Sequence, residues 1–264
     1  MNLISEKTEI LGSNISIWNL DETVSKLISM ATTPDLREYI CISNVHTVVT
    51  GKEDPEFANV TNSAALATAD GVPLIWASKL ISKNPIHGRA SGPDIMKMIL
   101  ERSKENLLKH FFYGATSETL EKLCSTVKAY CPNELIVGKL APPFRPLVSP
   151  DTPLDETELR DCDEINRSGA NFVWVGLGAP KQEIWMYRAR KHLNPQVLMG
   201  VGAAFDFLAG NTKRAPIWMQ RSGLEWAYRF AQEPKRLANR YLTTNSKFIF
   251  HLSKEIIGQK NAGG

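Results

Sequence analysis

Polar side chains able to do chemistry stand directly after short apolar runs in this chain. Asn44 follows Glu38–Ser43, Asp70 follows Ala65–Thr68, and the turn Gly176-Leu-Gly-Ala-Pro-Lys-Gln-Glu183 follows Asn171–Val175. A carboxylate so placed can act as a general base. A Gly-x-Gly turn that opens a helix presents backbone N–H groups and a partial positive charge, which suits a diphosphate. Gln182 and Glu183 in that turn carry groups able to hydrogen-bond a base or a sugar. Each position also has a purely architectural reading. The turn is equally a tight strand-to-helix connection with no ligand, and Asn44 and Asp70 are residue types that commonly cap helices. The dinucleotide fingerprint GxGxxG is not met, because Lys181 stands where the third Gly is needed, and a Walker A loop is absent.

Other candidates are weaker. Asp206 lies between Phe205 and Phe207, either as a functional carboxylate or as a structural acid paired to an arginine such as Arg214. Asp161-Cys-Asp163 has the D-x-D spacing that can hold a metal and a nucleotide diphosphate. It sits inside a polar helical stretch where residues two apart point in different directions, so it reads as a solvated helix face. The histidines are scattered without HExxH spacing, and no metal site is expected. Cys41, Cys124, Cys131 and Cys162 lack CxxC spacing and read as buried thiols in a reducing compartment.

The elements that must position these residues alternate. A strand or hairpin around Ile10–Trp18 precedes a helix capped by Asp21 and reaching Met30. Further strands are expected at His110–Tyr113, Leu135–Val137 and Gln196–Met199. Helices are expected at Leu74–Ile81, at Ile95–Glu105 behind Asp94, from Ser117 to Tyr130, at Glu156–Arg167 with a stop at Gly169, and from the Gly turn to His192. Lys83–Pro93 reads as an exposed loop carrying Arg89, and Ala141–Pro146 as a rigid one. Strands apolar on both faces, alternating with helices, predict an α/β fold with a mostly parallel, doubly wound sheet. Ligands of such sheets bind at the carboxyl ends of the strands.

Charge divides the chain of 264 residues. Residues 211–264 hold ten Lys/Arg against three Asp/Glu, net +7, which leaves 21 against 25, net −4, before them. Beyond Ala215 the sequence interleaves Trp218, Trp226, Tyr228 and Phe230 with Arg221, Arg229, Lys235, Arg236 and Arg240, and Pro234 breaks it into at least two helices. Such a segment suits anionic lipid, nucleic acid or a phosphorylated small molecule, or else it is a helical cap whose arginines pair with the acidic body. No secretory leader and no bilayer-spanning apolar run is evident, so a soluble or peripheral, cytoplasmic protein is expected.

Taken together, these blocks resemble the WecG/TagA/CpsF family of bacterial glycosyltransferases over nearly the whole chain. The likeness is carried by Val175–Glu183, Gly200-Val-Gly-Ala-Ala-Phe-Asp-Phe-Leu-Ala-Gly210, Arg214-Ala-Pro216 and Leu224–Arg236, with Ala69-Asp-Gly71 and Arg89–Asp94 in support. It implies a Rossmann-like core (residues 1–210) and a basic, aromatic helical appendage (residues 211–264) that associates with the inner face of the plasma membrane, an arrangement of the GT-E type. It also implies metal-independent, inverting transfer of a hexose, N-acetylhexosamine or related sugar from a UDP-sugar to a polyprenyl-diphosphate-linked saccharide, without a cofactor.

By the same resemblance, Asp70 matches the family's proposed general base. Asn44, Arg89, Gln182 and Asp206 fall in the substrate pocket, and Arg214, Arg221, Arg229, Arg236 and Arg240 on the part that completes it near the bilayer. Charge on the departing UDP would be met by the helix start at Gly178–Lys181 and by Arg229, Arg236 or Arg240, with Gly176 counted among the substrate-binding positions. Ser43 stands where relatives often have Thr in a Thr-x-Asn, and Ala141-Pro-Pro-Phe-Arg145 leans toward the exopolysaccharide branch. A nucleotide-dependent oxidoreductase and a nucleic-acid binder are the rival readings, and nucleic acid is not expected as a partner. Oligomeric state, self-association included, is left open.

Overall fold

The structure is a computed structural model that describes residues 6–262, with the side chains of residues 221, 236–242 and 259–262 outside that description. It opens on a hairpin, β1 (Lys7–Ile10) and β2 (Ser13–Ser16), followed by α1 (Leu20–Ala31). Asn19, not Asp21, caps α1: its side chain accepts the Glu22 N–H while Glu22 reaches back to the Asn19 N–H. Then come β3 (Glu38–Ser43), α2 (Val45–Glu53), α3 (Pro55–Asn62), β4 (Leu66–Ala69) and α4 (Val72–Ile81). The sequence reading passed over α3, although Asp54 caps it and Pro55 supplies its first turn.

The middle of the chain adds α5 (Gly92–Asn106), β5 (His110–Gly114), α6 (Ser117–Val127), β6 (Ile136–Leu140) and α7 (Glu156–Ser168). Ser91 occupies the N-cap of α5 and Asp94 lies within its first turn, which corrects the assignment of Asp94 as the cap. β7 (Phe172–Gly176), α8 (Lys181–Ala189), β8 (Val197–Gly200) and the short α9 (Ala204–Leu208) complete the core. Beyond it the chain forms α10 (Ile217–Arg221), α11 (Glu225–Gln232) and the long α12 (Pro234–Ala262).

The main sheet runs β4-β3-β8-β7-β5-β6 with every pairing parallel, as the alternating pattern predicts for a Rossmann-like fold. Residues alternate between its faces. Ile40, Ile42, Phe112, Phe172 and Trp174 pack toward α1, α5 and α6, whereas Tyr39, Cys41, Tyr113, Val173 and Val175 pack with Trp185, Met186 and Ile165 of α8 and α7. All four cysteines are buried thiols. The chain steps from β3 outward to β4, starts again at β5, and returns through β7 to β8, which lies beside β3. Such a reversal leaves a crevice at the carboxyl ends of the central strands.

The arm lies against this crevice. Phe248 of α12 is buried with Val48 and Val49 of α2, Leu74 and Ala77 of α4, and Ile10 and Ile15 of the hairpin. Lys247 pairs with Glu53 at 2.8 Å, and Glu255 accepts the Leu11 N–H at 3.3 Å.

Candidate active site

A cleft of about 860 Å³ opens where β3, β4, β7 and β8 end, with α4, α11 and α12 as its walls. Asp70 is placed in it by backbone geometry. Its N–H donates to the Ser43 carbonyl at 2.7 Å, which ties the end of β4 to the end of β3. Gly71 then adopts φ +131°, a conformation open to Gly, and caps α4 with no side-chain bond. The Asp70 carboxylate is therefore not spent as a helix cap. Its Oδ1 accepts from Arg89 Nε at 3.1 Å, with the Asp70 side chain 30% exposed.

Arg89 does not sit on a free loop. The Ala90 N–H donates to the Ala69 carbonyl at 2.8 Å, and Thr68 Oγ1 donates to the Ala90 carbonyl at 3.1 Å, so the loop is stitched along β4 and Ala90 and Ser91 are fully buried. Arg89 Nη2 reaches Glu225 Oε2 of α11 at 2.7 Å. Arg214 binds Asp94 through Nη1 at 2.5 Å and Nη2 at 2.7 Å, donates to Ser91 Oγ at 3.1 Å, and approaches Glu225 at 3.5 Å. Burial pushes the Asp94 carboxyl up, but hydrogen bonds from Arg214 and Ser91 outweigh it and hold the group below the usual carboxylate range. Asp70, Arg89, Glu225, Arg214 and Asp94 thus form one ionic chain across the junction of core and arm.

The Gly turn is built more tightly than a bare anion site. Gly178 (φ +78°) donates its N–H to Gln182 Oε1 at 3.2 Å, and the Gln182 N–H returns to the Gly178 carbonyl at 3.0 Å. Gln182 Nε2 donates to Glu183 Oε1 at 2.8 Å, and both side chains are buried. Pro180, at the N-cap, has no N–H to offer. Gly200 leaves the room this arrangement needs, since a Cβ there would lie 2.8 Å from Met186 Cε and 3.0 Å from Gln182 Nε2.

The family model for the glycosyl transferase WecG/TagA/CpsF family matches residues 8–262. The chain belongs to this family. Among its relatives, an N-acetylglucosaminyldiphosphoundecaprenol N-acetyl-beta-D-mannosaminyltransferase of Bacillus spizizenii is 33% identical over 199 residues, 75% of this chain and 72% of the relative. A protein of the same description from Bacillus subtilis is 32% identical over 185 residues, 70% of this chain and 67% of the relative.

Within this WecG/TagA/CpsF glycosyltransferase the remaining sequence candidates divide. Asn44 both caps α2, accepting from the N–H groups of His46 at 2.9 Å and Thr47 at 3.2 Å, and lines the cleft. Ser43 is buried and contributes the carbonyl that holds Asp70. Asp206 lines the cleft with Oδ1 accepting from Asn211 at 3.3 Å, and Arg214 is committed elsewhere, so the Asp206–Arg214 pair considered from sequence is not formed. Arg229 lines the same cleft with its guanidinium over the Phe207 ring at 5.4 Å. Among the described residues it has no carboxylate partner.

Lys181 faces another way. Its Nζ donates to the Arg145 carbonyl at 2.7 Å and stands 3.8 Å above the Phe144 ring, beside a second cavity of about 530 Å³ on the far side of Gly176 and Leu177. The geometry therefore separates Lys181 from Asp70, where the sequence grouped them. The side chains of Arg221, Arg236 and Arg240 lie outside the described residues.

The D-x-D pair points in two directions as expected, but Asp161 is not solvated: it accepts from Tyr113 Oη at 2.8 Å and Arg145 Nη2 at 2.9 Å, while Asp163 is exposed. No cluster of three or more His, Cys, Asp or Glu suited to a metal occurs among the described residues.

Sequence reasoning missed Glu225, which sits inside the quoted Leu224–Arg236 block but was hidden by the surrounding positive charge. It also missed the apolar wall of the cleft. Trp76 and Leu80 of α4 are 56% and 67% exposed and line the cleft together with Ile249 and Leu252 of α12. The exposure of Trp76 and Leu80 has no signal in the helical period alone.

Proposed function

We propose that the protein is an inverting, metal-independent glycosyltransferase that moves a sugar from a UDP-sugar onto a polyprenyl-diphosphate-linked saccharide at the cytoplasmic face of the membrane. The observation that carries this reading is the position of Asp70. Its carboxylate stands in a cleft lined by polar groups, Asn44, Gln182, Asp206 and Arg229, and by apolar ones, Trp76, Leu80, Ile249 and Leu252. A sugar nucleotide suits the polar groups, and a saccharide carried on a lipid suits the apolar ones. The activity named for the two Bacillus relatives supports a lipid-linked acceptor and makes N-acetylmannosamine the first donor sugar to test.

In this mechanism Asp70 takes the proton of the acceptor hydroxyl as that oxygen attacks the anomeric carbon from the face opposite UDP. The new C–O bond forms while the bond to UDP breaks, and UDP leaves with the bonding electrons. The leaving diphosphate gathers negative charge, and Arg229, with no carboxylate partner among the described residues, is the cation in the cleft available to meet it. No divalent ion is assigned a step.

No described helix is long and apolar enough to cross a membrane. Ile217 and Trp218 of α10 and Phe250 and Ile257 of α12 are exposed, and they would seat the arm in an interface beside its basic residues.

The test is transfer from a panel of UDP-sugars to a lipid-diphosphate-linked N-acetylglucosamine, with the anomeric configuration of the product read by NMR and the assay repeated in EDTA. Asp70→Asn should keep donor binding and lose on the order of 10²–10⁴-fold in turnover. Near-normal turnover of that variant, a retained configuration, or abolition by EDTA would each remove the corresponding part of the proposal.

A further inference from the structure

We infer that Glu225, carried by the arm, is a positioning residue that divides Arg89 between two carboxylates and thereby leaves one oxygen of Asp70 open for the acceptor hydroxyl. The role of Asp70 rests on the transferase reading above; the geometry does not.

Arg89 uses Nε toward Asp70 and Nη2 toward Glu225, at 3.1 and 2.7 Å. Those nitrogens share one edge of the guanidinium, the edge that otherwise takes a single carboxylate in a bidentate pair. With Glu225 in place, Asp70 keeps a single contact to Arg89, and Asp70 Oδ2 makes no hydrogen bond to a described residue. Without it, the whole edge is free to close on Asp70 and occupy both oxygens.

The partners are held firmly enough for this division to matter. The side chains of Arg89 and Glu225 are 17% and 19% exposed, so their attraction is screened less than that of a surface pair. Arg89 is fixed from behind by the Ala90–Ala69 and Thr68–Ala90 bonds, and Glu225 has Arg214 as a second cation at 3.5 Å. Arg214 itself is anchored on Asp94 and Ser91. Glu225 lies 136 positions along the chain from Arg89, on α11, so only a docked arm brings it there. Docking of the arm and exposure of the base are thus the same event.

The experiment combines kinetics with a readout that needs no substrate. Glu225→Ala should lower kcat by roughly tenfold while the donor KM stays within about twofold, the pattern of a group that acts on the reacting geometry and not on binding. Adding Arg89→Lys to Glu225→Ala should recover part of the lost kcat, because an ammonium cannot chelate both oxygens of Asp70. Glu225→Gln, which keeps shape and an acceptor oxygen, should melt like the parent and fall between the parent and Glu225→Ala in kcat. An unchanged kcat in Glu225→Ala, or a double variant slower than Glu225→Ala, overturns the inference.

In parallel, limited proteolysis of the segment joining α9 to α10 reports arm docking. Arg89→Ala and Glu225→Ala should each speed cleavage, and the pair together no more than either alone. Additive effects would show that the bridge does not hold the arm. If the parent protein transfers no sugar, the transferase reading fails while the proteolysis still decides whether Arg89 and Glu225 couple arm to core.

Discussion

The side chain of Gln182 folds back so that its Oε1 accepts the N–H of Gly178 at 3.2 Å, and its own backbone N–H returns to the Gly178 carbonyl at 3.0 Å. The turn after β7 is therefore preorganised by its own side chain before any ligand arrives. Gln182→Ala should loosen the turn and open space beside Gly200. The expected result is weaker UDP-sugar binding by roughly tenfold, equivalent to about 1.4 kcal/mol, measured by calorimetry. The loss of a buried hydrogen-bonding side chain should also lower Tm by several degrees, on the order of 4 °C. Unchanged donor affinity would remove Gln182 from the site.

The second prediction concerns acid stability. His110 is fully buried between Ser103 and Trp174, with Trp174 Nε1 donating to Nδ1 at 3.0 Å and Nε2 lying 2.6 Å from Ser103 Oγ. Burial lowers its pKa to about 3. An unfolded histidine titrates near about 6.5, so between those values the unfolded chain binds the extra proton. The contribution of neutral His110 is complete above the unfolded value and is lost as pH falls from there toward the folded one, at a slope approaching about 1.4 kcal/mol per pH unit. Urea titrations at about pH 7 and about pH 4.5 should show a steeper loss for the parent than for His110→Gln, whose side chain has no such proton to take up.

A third prediction tests the apolar wall. Trp76→Ala should raise KM for an acceptor bearing a long polyprenyl chain by about tenfold, the equivalent of losing part of one aromatic contact. The same variant should leave KM for a short-chain, water-soluble acceptor near the parent value. An equal effect on both acceptors would assign Trp76 to the saccharide or to folding instead of to the lipid.

Membrane association gives the fourth. Replacing the exposed Ile217 and Trp218 with Ser should shift the protein out of the floating fraction with vesicles rich in anionic lipid, without altering donor binding. Flotation of the parent should weaken as salt rises, because each surface Lys or Arg contributes only about 1 kcal/mol through a screened field. Salt-independent flotation would point to apolar insertion alone.

Much of the architecture was legible because parallel strands buried on both faces leave continuous apolar runs, and these appear as such at Glu38–Ser43, His110–Tyr113 and Asn171–Val175. The carboxyl ends of Glu38–Ser43, Ala65–Thr68 and Asn171–Val175 pointed to Asn44, Asp70 and the Gly turn, and all three meet in one cleft. Local signals failed where several residues of the same type competed for one role. Asn19 took the cap expected of Asp21 because its side chain reaches the free Glu22 N–H, whereas Ser91 holds the N-cap position expected of Asp94 by backbone conformation alone, with no side-chain bond to the helix.

By itself, then, the sequence determined the alternation of strands and helices, the position of Asp70 at a strand end and the split of charge between body and arm, since each is written in local periodicity or composition. Only the tertiary structure decided which charges meet. Asp70 escapes service as a cap because Gly71 turns the chain away from it, and Lys181 leaves the cleft for Phe144 and Arg145. Arg89 and Glu225 become partners across 136 positions because the sheet and the docked arm bring them together, an encounter no local pattern encodes.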